Sequence, residues 1–138
     1  MKVNDALEAA VKAFVLRDID PRVGEGGDGV ASNPLWTRLK EVGSELWLDT
    51  GSLDESGELW TQEFSALTTN NSLLNNEVQR GQYDMLIPEA CDVLQAFNLS
   101  NRELLLELAF ILNAVHGLKL VQAYDAYVSV EEHTDLAN

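Results

Sequence analysis

The chain is 138 residues long and 46% apolar, and its 23 Asp and Glu against 9 Lys and Arg give a formal charge of −14. Such a length and apolar share suit one domain with its own core and exclude a disordered, collagenous or linker-like chain. The acid excess repels phosphate backbones and anionic bilayers, and the basic residues form no cluster, which excludes nucleic acid and membrane surfaces as partners.

The N-terminus, MKVNDALEAAVKAF, places Asp5 and Glu8 where a secretory signal would keep an unbroken apolar run, and Cys91 is the single cysteine. Both features lead us to expect a cytoplasmic, disulfide-free chain with an inert core thiol. Leu7, Ala10, Val11, Phe14 and Val15 recur at helical spacing, so an amphipathic helix is expected over Asp5 to Arg17, with Asp5 and Glu8 spaced as a capping box. The glycine-rich stretch that follows breaks any period, and Asp20 to Ser32 reads as loop. Asn33-Pro34 then opens a short helix, with Leu35, Trp36 and Leu39 as its apolar face and Gly43 as its stop.

Leu46-Trp47-Leu48 is a short apolar run ending at Asp49-Thr50-Gly51, a buried strand with an acid at its C-terminal end. Ser52 and Glu55 have capping-box spacing and open a helix expected to reach Phe64, followed by a strand over Ala66-Leu67-Thr68-Thr69. Asn70-Asn71-Ser72 turns into a helix ending near Arg80. Gly81 interrupts it, and a second helix is expected from Tyr83 to Phe97 with Pro88 early in it or kinking it. Ser100 and Glu103 cap a long apolar helix to about Ala123, relaxed at Gly117, and Asp125 to Glu131 reads as the third strand. Its greasiest segment, Leu104 to Val115, is short for a membrane span and reads as core. Helices alternating with strands favour an α/β fold with a parallel sheet, strands lying near 45–50, 66–69 and 126–131.

Parallel strands present their C-terminal ends to one rim, so Asp49, Thr69-Asn70 and Glu131 form a polar constellation there. On these residues the sequence resembles the transaldolase family. ELWLDTGSL is similar to that family's first barrel strand with its acid, SALTTNNSLL to the second with its Thr-Thr-Asn signature, and AYVSVEEHTDLAN to the third with its glutamate. The resemblance covers Asn33 to Asn138. It departs at Asn71, where the family has proline and a stiffer turn.

The resemblance implies the start of a TIM (β/α) barrel: one domain over 1–138, with a helical extension and Gly-rich loop over 1–32 and the first three barrel strands within 33–138. It further implies transfer of a dihydroxyacetone unit between sugar phosphates through a lysine Schiff base, a pentose phosphate pathway reaction without metal or organic cofactor. Asp49 corresponds to the base acting on the substrate's C4 hydroxyl, Glu131 to the acid managing a catalytic water, and Asn70 to a substrate hydrogen-bonding side chain. Thr69 and Thr68 correspond to residues that fix the turn. The reactive lysine and the phosphate-binding arginine belong to later strands, so the chain is expected to be inactive alone. Its lysines, Lys2, Lys12, Lys40 and Lys119, are not expected at a strand end.

The blander readings are a helix cap for Asp49, a turn residue for Asn70, strand residues for the threonines and a solvated acid for Glu131. His116 reads as packed rather than ligating, and Trp36, Trp47 and Trp60 as core or helix-packing residues. Glu131, His133 and Asp135 alternate and would share a face on a continuing strand, but a fraying end is favoured over a metal site. A different class of function is a noncatalytic binding or assembly module that self-associates through an uncovered barrel face.

Overall fold

The computed structural model describes residues 5–19 and 30–131. In chain order the elements are α1 (Asp5–Leu16), α2 (Pro34–Glu41), β1 (Leu46–Asp49), α3 (Leu53–Leu59), β2 (Phe64–Thr69), α4 (Asn71–Gln79), α5 (Leu86–Leu94), α6 (Asn101–Tyr124) and β3 (Tyr127–Val130). The three strands form one sheet in the order β1-β2-β3, and both pairings are parallel. This is the expected α/β class with a parallel sheet.

Register fixes which side chains share a face. Trp47, Ala66 and Tyr127 form one cross-strand row, Leu48, Leu67 and Val128 the next, and Asp49, Thr68 and Ser129 the third. Side chains alternate along a strand, so the first and third rows share one face and the middle row points the other way. Leu67 is fully buried, whereas Trp47, Asp49, Tyr127 and Ser129 are exposed. Helices therefore pack on the face of the middle row, and the opposite face is open along β1 and β3, with Ala66 buried between Trp47 and Tyr127 at its centre.

Two glycines allow the close approach of helix to strand. A Cβ on Gly117 in α6 would lie 2.7 Å from Val130 Cγ2, and one on Gly51, just after β1, would lie 2.6 Å from Leu73 Cβ in α4. The core beyond the sheet gathers Val11 and Phe14 of α1, Ala90 and Leu94 of α5 and Ile111 of α6. A second cluster of Leu74, Tyr83 and Leu112 joins it through Leu86, Leu108 and Val115. By length and composition α6 could cross a membrane, a property hidden when only Leu104 to Val115 is counted. In this fold it is the central packing helix, with Ile111, Leu112 and Leu120 buried.

Several boundaries differ from expectation. Helix α3 stops at Leu59 and β2 starts at Phe64, because Trp60 leaves the helix in extended conformation and stacks on Phe64 and Tyr124, with ring centroids 5.5 and 4.8 Å away. Helix α5 begins at Leu86 rather than Tyr83, whose side chain is buried in the turn before it. Pro88 is its third residue, where no intrahelical N–H bond is lost. Helix α6 runs unbroken through Gly117, and Asp5 is the first residue of α1 rather than its cap. Asp125 ends α6 in a left-handed conformation (φ 47°) instead of joining β3. Trp47 was expected in the core, yet it is 56% exposed because its row faces away from the helices.

Candidate functional site at the strand ends

Asp49 is the last residue of β1 and lies on the open face, where Thr68 Oγ1 donates a hydrogen bond to its Oδ1 at 2.7 Å. The pair follows directly from register, since Asp49 and Thr68 are lateral neighbours. Ser129 completes the row on β3. Sequence reading passed over it, although it stands two residues before Glu131 and so has the same parity on the strand.

The loop after Asp49 is tightly held. Thr50 N–H donates to Thr68 O at 2.9 Å, Ser52 N–H donates to Thr50 Oγ1 at 3.2 Å, and Gly51 abuts the backbone of Leu73. Larger residues at Gly51 would push this loop off α4 and carry Asp49 with it.

Thr69 is 5% exposed and belongs to the row that faces the helices, so parity keeps it off the face that carries Asp49 and Thr68. Asn70 is the N-cap of α4, its Oδ1 accepting the Leu73 N–H at 3.0 Å. Glu131 follows β3, and its Oε2 accepts the Asn71 N–H at 3.3 Å. Asn71 in turn accepts at Oδ1 from Asn113 Nδ2 of α6 at 3.2 Å. The strand ends thus carry two separate polar units, Asp49 with Thr68 and Glu131 with Asn71. Backbone positions two strands apart are about 10 Å from each other, a span that accommodates a small sugar rather than a direct contact.

Among the described residues no group of three or more His, Cys, Asp or Glu side chains has the arrangement to hold a metal ion, and His133 and Asp135 lie outside those residues. Lys12, Lys40 and Lys119 lie on α1, α2 and α6 rather than on strands, Lys119 lining a cleft that also takes in Leu53 and Asp54, and Lys2 lies outside the described residues.

Two buried polar clusters elsewhere were not legible as such. At the N-terminal end of β2 the Glu63 carboxylate, 4% exposed, accepts from Ser32 Oγ, from Asn33 N–H at 3.1 Å and from Thr37 Oγ1 at 3.0 Å. These donors, Ser32 foremost, hold its pKa down to about 2. In a cleft between α3, α4 and α6, Tyr83 Oη and His116 Nδ1 share a hydrogen bond of 2.7 Å, and Lys119 Nζ lies 4.7 Å from the Tyr83 ring centroid. Burial raises the Tyr83 pKa and, helped by Lys119, lowers that of His116 to about 4, so both are neutral near pH 7. His116 is a packed histidine, as the sequence suggests.

Compared with known protein families, with curated proteins and with solved structures, the chain matches none.

Proposed function

We propose that this chain provides the first three strands of a transaldolase-like barrel and that its strand ends contribute the acid–base half of a cytoplasmic site that transfers a dihydroxyacetone unit between sugar phosphates. The observation that carries the reading is the Asp49 carboxylate, exposed at the C-terminal end of β1 on the face opposite the helices and hydrogen-bonded by Thr68. In a (β/α) barrel that face is the interior, and its C-terminal rim is where catalysis takes place. Sequential, all-parallel strand order supports the start of such a barrel over a doubly wound sheet, which reverses order and covers both faces.

In this reading Asp49 takes the proton from the substrate's C4 hydroxyl as the carbon–carbon bond breaks, and the electron pair flows into an imine on a lysine supplied from outside this chain. Glu131 handles the water exchanged during imine formation, and the Asn70 amide orients the substrate. Thr68 keeps Asp49 on the open face, and Thr69 anchors the strand end from behind. No metal or organic cofactor enters, and the phosphate is bound by a cation outside this chain.

The test combines this chain with a polypeptide carrying the remaining strands of a transaldolase barrel, using fructose 6-phosphate and borohydride to trap the imine. Trapping on the supplied half, with Asp49→Ala lowering kcat by about 10²–10⁴ and KM within about threefold, supports the reading. An adduct on Lys2, Lys12, Lys40 or Lys119, or a folded Asp49→Ala assembly with kcat within about threefold of the parent, overturns it.

A second reading, a noncatalytic module that self-associates through the open face, is favoured by one observation: Trp47 and Tyr127, 56% and 85% exposed, flank Ala66 there. Exposed aromatics beside a small residue are a common core for a protein contact.

A further inference from the structure

We propose that Asn71 is the positioning residue for Glu131, using its backbone N–H to hold the carboxylate and its side chain, tied to Asn113, to fix the N–H. The role assigned to Glu131 rests on the reading above; the positioning itself rests on geometry.

Asn71 is the first residue of α4, a position whose N–H has no partner inside the helix. Proline is favoured there for that reason. The backbone would accept it, since Asn70 is extended (φ −139°, ψ 170°), the conformation a following proline requires. Asparagine at this position therefore retains a donor that the helix does not use, and that donor reaches Glu131 Oε2 at 3.3 Å. Helix α4 also has no acid of its own in its first turn. Glu131 arrives from the end of β3 to complement the positive end of the helix dipole, where a carboxylate is favoured.

The second contact makes the arrangement specific. Asn113, 6% exposed on α6, donates to Asn71 Oδ1 at 3.2 Å, and α6 packs on β3 through Gly117 against Val130, the residue before Glu131. The same helix thus sets both the strand that delivers the carboxylate and the residue that receives it. Glu131 is held at the rim of the open face by a chain of two hydrogen bonds ending in the core.

The experiment compares the chain with Asn71→Pro and Asn71→Ala variants by carbon-detected NMR of Glu131, reading its carboxyl-carbon shift and its χ1 couplings. Asn71→Pro removes the N–H in a compatible backbone and is expected to release Glu131 to rotamer averaging. Asn71→Ala keeps the N–H but loses the tie to Asn113, and is expected to give a smaller change of the same sign. Unchanged Glu131 signals in a folded Asn71→Pro chain overturn the proposal, as does an Asn71→Ala change as large as that of proline. If Asn71→Pro does not fold, Asn71→Ala decides: a Glu131 signal identical to the parent overturns the tie to Asn113. In the combined barrel Asn71→Pro is expected to lower kcat about tenfold with KM within about twofold. Absence of turnover in the parent assembly counts against the transaldolase reading alone, because the NMR comparison needs no activity.

Discussion

Glu63 and His116 are each buried among neighbours that favour one protonation state, and each makes the fold sensitive to acid. The His116 pKa falls from 6.5 to about 4, so the unfolded chain takes up a proton there that the native chain refuses. Its contribution to stability is complete above about 6.5 and is lost as pH falls toward 4. The Glu63 pKa falls from 4.5 to about 2, so its contribution is complete above about 4.5 and disappears as pH falls toward 2. Urea midpoints measured from pH 7.5 to 2.5 should therefore decline in two overlapping stages. His116→Gln should flatten the upper stage and Glu63→Gln the lower; a decline unaltered by either substitution would assign acid sensitivity to other groups. The short alternation around Glu63, a polar residue before an apolar strand, gave no sequence signal of burial. Its donors come from residues 26 to 31 positions earlier, and only tertiary structure brings them together.

At the scale of elements, α6 organises the molecule. Ser100 and Glu103 form the capping box the sequence implies, with Ser100 Oγ accepting the Glu103 N–H at 3.3 Å and Glu103 Oε2 accepting the Ser100 N–H at 2.8 Å. Replacing Ser100 by Ala should cost about 1 kcal/mol, the usual worth of such a cap, measured by chemical denaturation. Gly117 presents a competition of two effects. Alanine would add about 1 kcal/mol of helix propensity, but its Cβ would sit 2.7 Å from the stiff, branched Val130 side chain, an overpacking that costs about 1–3 kcal/mol. Gly117→Ala should thus destabilise by about 1 kcal/mol, and the double variant with Val130→Ala should recover part of the loss. Additive effects in that cycle would show that the two positions do not meet.

For the molecule as a whole, the decisive asymmetry is a sheet covered on one face only. Asp49 is the one charged side chain in the two open-face rows, while the chain carries −14 in total, so the acid excess lies elsewhere and repels copies at long range. Self-association through Trp47 and Tyr127 should then strengthen with salt, as screening weakens that repulsion. Sedimentation at 0.05 and 0.5 M NaCl checks this. Trp47→Ser with Tyr127→Ser should abolish association while changing stability by no more than about 0.5 kcal/mol, since exposed side chains contribute little to the core. A parent chain that remains monomeric at all concentrations and salts would remove the assembly reading.

The α/β class, the three parallel strands and most helix starts were legible in the sequence because they depend on local pattern: apolar period, capping residues, and short apolar runs bounded by polar turns. Asp49 and Glu131 were legible as strand-end acids for the same reason. What sequence could not decide was direction and partnership. Trp47 has the chemistry of a core residue, and only the direction of its row, opposite to the face that carries Leu67, leaves it in solvent. Thr68 and Thr69 are adjacent and chemically identical, yet parity sends one to Asp49 and the other beneath the helices. Asn71, one residue in a turn, becomes the receiver of Glu131 only because α6 brings β3 and α4 together from 60 residues apart. Local pattern is written in the order of side chains along the chain, whereas the face a strand shows and the partner a polar group meets are set by contacts between segments that the order alone does not contain.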